Sequence, residues 1–244
     1  MKRLGVNIDH IATVRNARGS FHPDPFSVAK HVMECGAHSI TIHLREDRRH
    51  IQDEDVRIIR KKISTPLNLE MAPTEEMVKM ALEIQPYQVS LVPEKRQEIT
   101  TEGGLDLCSQ ETTLSKIREK LHYKKILLSL FIDPDDKQVD AAKRIKADSI
   151  EINTGKYSEL LLAEEIEAEL GRIQISAKRG VERGLKVFAG HGLNYENVKN
   201  IAAIPEIEEL NIGHFIVGQA IYVGMENAVR EMIHSIKIGR GQNI

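Results

Sequence analysis

The amino-acid sequence predicts a (β/α)8 TIM barrel with additional helices, and three observations predict it. Short β-like runs alternate with amphipathic helical stretches, eight of each. The length of 244 residues matches the ~250 typical of that architecture. Six of the runs turn polar at the same end: Val6-Asn7-Ile8-Asp9-His10, Ile42-His43-Leu44-Arg45, Asn68-Leu69-Glu70, Ile150-Glu151-Ile152-Asn153, Ala189-Gly190-His191-Gly192 and Asn211-Ile212-Gly213-His214. An unpaired polar side chain in a buried strand costs roughly 1–3 kcal/mol. Six strands sharing the habit point to one rim where those side chains converge.

Strand 4–9 leads into a polar stretch, 12–19, that reads as a loop, followed by helix 25–35 with its stop at Cys35-Gly36. Strand 39–44, helix 53–61 and strand 66–71 come next. Helix 74–84 opens on Thr74-Glu75-Glu76, negative charge where a helix N-terminus favours it. Strand 88–92 precedes a long loop, 94–104, then helix 109–121 and strand 126–132. Asp133-Pro134-Asp135-Asp136 opens helix 135–145, and strand 149–153 follows. Residues 158–183 exceed one ordinary crossover helix and are expected to form two, broken near Gly171 and closed by Arg183-Gly184. Strand 186–190, helix 194–203, strand 209–213 and helix 218–236 complete the series. A doubly wound open sheet is the rival, but no Gly-rich dinucleotide fingerprint opens the first helix. Without a linker, low-complexity tract or charge block, residues 1–244 are expected to form a single TIM-barrel domain with a helical insertion around 158–183.

Composition narrows the function. A 41% hydrophobic and 29% charged chain is ordinary for a globular protein. With a formal net charge of -2, scattered Lys/Arg pairs, no Trp and 4% aromatics, it offers neither the basic stripe nor the stacking platforms that nucleic-acid binding needs. No apolar run is long enough for a membrane span, and Asn7, Asp9 and His10 interrupt any signal-peptide core. A cytoplasmic location is the default expectation. Cys35 and Cys108 lack metal-type spacing and read as reduced thiols.

Active sites of such barrels gather at the C-terminal ends of the strands. Alternation puts Asn7 with Asp9, His43 with Thr41 and Arg45, and Glu70 with Asn68 on one side of the sheet, opposite the apolar side that faces the helices. His43, Glu70 and His191 are candidates for proton transfer, since imidazoles and partly buried carboxylates can be tuned toward neutral pH. A purely structural hydrogen-bond network is the competing account of each. Glu151 suits stabilisation of positive charge, or equally a salt bridge inside the barrel. His191-Gly192 and Gly213-His214, with Gly218 beyond, place small residues after strands seven and eight, where barrels often hold phosphate on backbone N–H groups. Arg45 and His50 suit a second anion site. Arg48, Arg49 and Arg18 are ambiguous between anion binding and simple solvation. Asp9, His10, His43, Glu70, His191 and His214 are also possible metal ligands, but no His-x-His or helical His-x-x-x-His ties two together. A metal-dependent phosphosugar aldolase or isomerase stays open as an alternative, as does a non-enzymatic phosphate-binding barrel. No nucleophile elbow and no strand-end lysine is present.

At these residues the chain resembles the pyridoxine 5′-phosphate synthase family from end to end. The resemblance is carried by Asn7-Ile8-Asp9-His10-Ile11-Ala12-Thr13-Val14-Arg15, by His43-Leu44-Arg45-Glu46-Asp47-Arg48-Arg49-His50-Ile51, and by Asn68-Leu69-Glu70-Met71-Ala72. Thr100-Thr101-Glu102-Gly103-Gly104, Ala189-Gly190-His191-Gly192-Leu193 and Asn211-Ile212-Gly213-His214 extend it. The resemblance implies a barrel with extra helices, assembled as a homo-octamer built from dimers. The implied reaction condenses 1-deoxy-D-xylulose 5-phosphate with 3-amino-2-oxopropyl phosphate to pyridoxine 5′-phosphate, phosphate and water, with no metal and no organic cofactor. Carried over residue by residue, it makes His43 and Glu70 proton acceptors, His191 a proton donor and Glu151 an electrostatic stabiliser. Asn7, Arg18, Gly192, Gly213 and His214 would bind the amino-ketone phosphate. Asp9, His10, Arg45, His50 and Thr100 would bind the deoxyxylulose phosphate. Two phosphorylated substrates account for two anion sites, and the 94–104 loop carrying Thr100 is expected to act as a lid.

Overall fold

The computed structural model describes residues 2–94 and 103–241. Eight parallel strands close into a barrel in sequence order: β1 (Arg3–Asn7), β2 (Ser39–His43), β3 (Leu67–Met71), β4 (Gln88–Leu91), β5 (Leu127–Ile132), β6 (Ser149–Asn153), β7 (Lys186–Gly190) and β8 (Ile207–Ile212). The helices α1 (Asp9–Arg18), α2 (Pro25–Glu34), α3 (Asp53–Lys62), α4 (Glu75–Ile84), α5 (Leu107–Tyr123), α6 (Asp136–Ile145), α7 (Gly155–Glu159), α8 (Ala163–Glu182), α9 (Val198–Ala203), α10 (His214–Val223) and α11 (Met225–Gly239) lie between and after them. Among the described residues, no helix is long and apolar enough to cross a membrane.

Period-two alternation explains the layering. Val6, Ile40, Ile42, Leu69, Ile150 and Leu210 are fully buried and join the helices' apolar faces in one continuous core. The other parity lines the lumen and is mostly polar, with the buried rings of Phe131 and Phe188 beside Glu151 as its apolar part. Asn68 accepts from Ser90 Oγ (2.9 Å) and Gln88 Nε2 (3.2 Å), while Ser39 Oγ donates to Glu209 Oε1 (3.0 Å). Arg3 meets Glu209 at 2.7 Å near a basal cavity of about 290 Å³. Barrel interiors are more often filled by Val, Ile and Leu. Here hydrogen bonds between strands take over much of that packing, beside the rings of Phe131 and Phe188, so the polarity expected at the rim extends to the floor.

The expected start and stop signals operate at several helices. Asp135 accepts from Lys137 N at 2.6 Å to cap α6, and Gly184 closes α8 at φ 76. Three expectations need correction. Residues 12–19 are not a loop but most of α1, which ends at left-handed Gly19. Its stripe is polar because it buries only Asp9, Ile11 and Ala12. Residues 158–183 do divide, but at 160–162, and α8 runs straight through Gly171, where a Cβ would meet nothing within 4 Å. A helix interior tolerates such a glycine for ~1 kcal/mol, and buried Ile173, Ala177 and Gly180 anchor α8. Residues 218–236 are not one helix. α10 begins at His214, includes Gly218 in its interior and gives way to α11 at Gly224, whose φ is 80.

Candidate active site

The rim over β1, β2 and β3 is built from short polar side chains that fix larger ones. Asn7 ends β1, and its Oδ1 accepts from Asp9 N at 2.9 Å while its Nδ2 donates to Asp9 Oδ2 at 2.9 Å. Asp9 Oδ1 in turn accepts from the backbone N–H of His43 at 2.8 Å, tying β1 to the end of β2. His43 and Glu70 are register partners on β2 and β3, with His43 Nδ1 4.0 Å from Glu70 Oε2. Asn7 Nδ2 reaches Glu70 Oε2 at 3.5 Å. On the other side of the imidazole, Nε2 lies 2.8 Å from Glu94 Oε1. Glu94 escaped the sequence reading because it stands beyond β4, outside any strand-end alternation.

Burial sets the protonation of the carboxylates. Glu70 is pushed well above the usual carboxylate range by desolvation, reinforced by the charges of Glu151 and Asp9. Desolvation also raises Glu151, to about 7, against the hydrogen bond from Asn211 and with the help of Glu209. That bond, Asn211 Nδ2 to Glu151 Oε2 at 2.7 Å, spans the lumen from β8 to β6. Gly190 makes room for it, since a Cβ there would fall 2.5 Å from Glu151 Oε1. Glu94 behaves in the opposite way. Burial pushes it up, but its hydrogen bond to His43, that ring's charge, the Glu46 N–H at 3.1 Å and Arg45 outweigh burial and hold it low.

Beyond β7 and β8 the backbone takes over. His191 adopts φ 84 and Gly192 φ 76. The His191 carbonyl accepts from Thr154 Oγ1 at 2.6 Å, and its ring lies 6.4 Å from that of Phe131. Desolvation lowers the His191 pKa, partly offset by Glu159. Gly213 leads into the N-terminus of α10, and His214 opens that helix. The His214 ring lies tilted 4.8 Å from that of His10, whose pKa is lowered by burial and then by His214, against Asp9. His10 Nδ1 is buried without a hydrogen-bond partner.

The loop after β2 holds Arg45, nearly fully buried, and His50, whose ring is 6.0 Å from that of His43. Ile51 N donates to His50 Nδ1 at 2.9 Å, which leaves Nε2 as the N–H end. Three donors converge on the His50 carbonyl: Asn16 Nδ2 at 2.8 Å, Gln52 Nε2 at 3.0 Å and Arg15 Nη2 at 3.2 Å. Arg48 is committed to Asp53 (2.6 Å) and Glu76 (2.7 Å), and Arg49 to Asp47 (2.7 Å). The structure thus brings Asn7, Asp9, His10, His43, Arg45, His50, Glu70, Glu151, Gly192, Gly213 and His214 to one end of the barrel. His191 joins the same rim just beyond β7, without direct contact to His43 or Glu70 among the described residues. Arg18 is exposed at the far end of α1 and is not brought to this cluster. Thr100, and with it most of the expected lid, lies outside the described residues.

Asp9, His43 and Glu70 each offer a ligand atom within 4.8 Å of the others. Both Asp9 oxygens are already accepting protein hydrogen bonds, and His43 Nε2 faces Glu94. The donor set therefore fits a hydrogen-bonded acid–base cluster better than a cation site.

Fold and site together define a barrel enzyme of acid–base chemistry, with carboxylates raised by desolvation and several imidazoles around one largely polar lumen. A family model described as pyridoxal phosphate biosynthesis protein PdxJ matches residues 4–238, and the chain belongs to that family. Pyridoxine 5′-phosphate synthase from Zymomonas mobilis is 52% identical over 241 residues, covering 99% of this chain and 94% of its own. The synthase of the same name from a Sulfurihydrogenibium species is 54% identical over 233 residues, covering 94% and 96%. Among solved structures, 3-keto-L-gulonate-6-phosphate decarboxylase from Vibrio cholerae superposes with a TM-score of 0.67 at 11% identity, covering 98% and 99%. Phosphoribosylanthranilate isomerase from Thermotoga maritima gives 0.61 at 15% identity, covering 97% and 99%. These two likenesses are of fold alone.

Proposed function

We propose that this enzyme is a pyridoxine 5′-phosphate synthase, closing a pyridine ring from 1-deoxy-D-xylulose 5-phosphate and 3-amino-2-oxopropyl phosphate. The observation that carries it is the cluster of Glu70, 4.0 Å from His43, with Glu151 raised in the same lumen, in a chain matched to the family from residue 4 to 238. The reaction needs an amine to add to a ketone, loss of water, several proton removals, expulsion of phosphate and ring closure. Carboxyl groups poised near or above neutrality can give and take protons within one cycle. Desolvation favours the protonated form of Glu70; a cationic amine or imine beside it lowers its pKa and favours the acceptor form, the role we assign to it with His43. His191, lowered by burial, gives up a proton readily once charged and serves as donor. Glu151 would stabilise the cationic intermediate.

Gly192, Gly213 and the N-terminus of α10, with His214, Asn7 and Arg18, are assigned to the amino-ketone phosphate. Asp9, His10, Arg45, His50 and Thr100 are assigned to the deoxyxylulose phosphate. The N–H end of His50 and the buried Arg45 support the second assignment, while Arg18 and Thr100 rest on the family resemblance. Holding both substrates together replaces an encounter with an oriented reaction, worth up to ~7–11 kcal/mol. No metal or organic cofactor enters the scheme. Exposed Phe21, Leu161, Ile221 and Tyr222 support assembly, proposed as a homo-octamer built from dimers and measurable by sedimentation. The free thiols Cys35 and Cys108 suit the cytoplasm.

Purified enzyme given both substrates and a chelator is expected to release pyridoxine 5′-phosphate and inorganic phosphate in equal amounts. Glu70→Gln or His43→Asn should cut kcat by at least ~100-fold while leaving the fold intact. No pyridine product from the wild type, or near-normal rates in both variants, would refute the assignment.

A further inference from the structure

His43 is approached from several elements. Glu94 lies at its Nε2 (2.8 Å), Glu70 of β3 at its Nδ1 (4.0 Å), and Asp9 of α1 on its backbone N–H (2.8 Å). The His50 ring lies 6.0 Å away, and Arg45 is near enough to act on Glu94. Both Glu94 and His43 side chains are 6% exposed, so water does not compete for this bond. The second Glu94 oxygen accepts from Glu46 N at 3.1 Å, which fixes the carboxylate's direction. An ionised carboxylate can only accept. Its partner nitrogen must then carry the hydrogen, so in the neutral ring the lone pair lies on Nδ1, the atom facing Glu70.

We infer that Glu94 is a positioning residue that selects the Nε2–H tautomer of His43, so that the proton-accepting atom is Nδ1, turned toward Glu70 and the lumen. The arrangement follows the general logic in which a carboxylate on one imidazole nitrogen orients the other for proton transfer. When Nδ1 takes a proton from substrate, the positive charge faces the Glu94 carboxylate across the existing bond. When the proton is returned, the neutral tautomer is restored unchanged. Glu94 touches no reacting atom in this scheme and acts through His43. The inference rests on the assignment of His43 as a proton acceptor, but its primary readout does not.

The test is ¹⁵N NMR of histidine-labelled enzyme, with the ring resonances of His43 identified by their loss in His43→Asn, alongside steady-state kinetics. Wild type is expected to show neutral His43 protonated at Nε2 alone. Glu94→Ala should give a mixture of tautomers and lower kcat by ~100-fold with KM for each substrate within about threefold. Glu94→Gln, which keeps an oxygen acceptor, should restore the single tautomer and most of kcat. Should Glu94→Ala fail to fold, Glu94→Ser gives the same readings. A folded variant lacking the acceptor that keeps the pure Nε2–H form, or keeps wild-type kcat, or loses activity through KM alone, would overturn the inference. If wild type shows no synthase turnover, the proposed reaction fails while the tautomer result still decides the role of Glu94.

Discussion

Glu70 and Glu151 concentrate the chemistry into two side chains whose environment, not their type, decides what they do. Both are raised by desolvation, and like charges in one lumen reinforce the effect for Glu70. The sign for stability follows directly. Folding favours the protonated form of Glu151, so it costs nothing below the ordinary carboxylate pKa and destabilises progressively as pH rises from near 4.5 through about 7. Glu151→Gln, a permanent mimic of the protonated form, should therefore gain on wild type by roughly 2–3 kcal/mol between pH 5 and pH 8. Denaturant unfolding at the two pH values checks it, and a gap that does not change with pH would speak against a raised Glu151. His43, Glu70 and His191 were visible in sequence because each breaks an apolar strand at the same end. Glu94 was hidden because a carboxylate in a loop carries no periodic signal, and only the fold brings it back to His43.

α1 shows what an element can do while burying little. Arg15 grips Asp55 with two bonds of 2.7 and 2.8 Å, and Arg15 and Asn16 both donate to the His50 carbonyl. Asp55 also accepts from Gln52 N at 2.8 Å at the start of α3. The helix thus clamps the loop that presents Arg45 and His50, and its polar face is the working face. That is why sequence periodicity read residues 12–19 as a loop: the side chains that hold α1 point at another loop rather than at an apolar core. The boundaries of α8 and α10 were misplaced for a related reason. Gly171 and Gly218 lie in helix interiors where nothing opposes them, so glycine there marks no break. Arg15→Ala is expected to loosen the clamp, raising KM for the deoxyxylulose phosphate by about tenfold, equivalent to ~1.4 kcal/mol, with kcat and the other KM within threefold. Substrate-by-substrate kinetics distinguish this from a general loss of stability, which would lower the active fraction for both substrates alike.

At the scale of the whole barrel, closure turns a one-dimensional pattern into a site. Asn7 and Glu70, or Glu151 and Asn211, are not on adjacent strands, yet the lumen brings them to 3.5 and 2.7 Å. Barrel closure and the shared rim were legible from eight alternating units and their polar ends. The depth of the polarity was not, because Ser, Thr and Asn at strand starts resemble ordinary turn residues until their partners across the lumen are known. A largely polar lumen holds Glu151 away from bulk water and Glu70 mostly so, while still offering both hydrogen-bond partners. The most direct test of that claim is a ¹³C titration of the glutamate side-chain carboxyls in the free enzyme, assigned with Glu70→Gln and Glu151→Gln. Glu151 is predicted to titrate at about 7 and Glu70 well above the ordinary carboxylate range, with Glu151→Gln lowering Glu70; both titrating near the usual 4.5 would contradict the account.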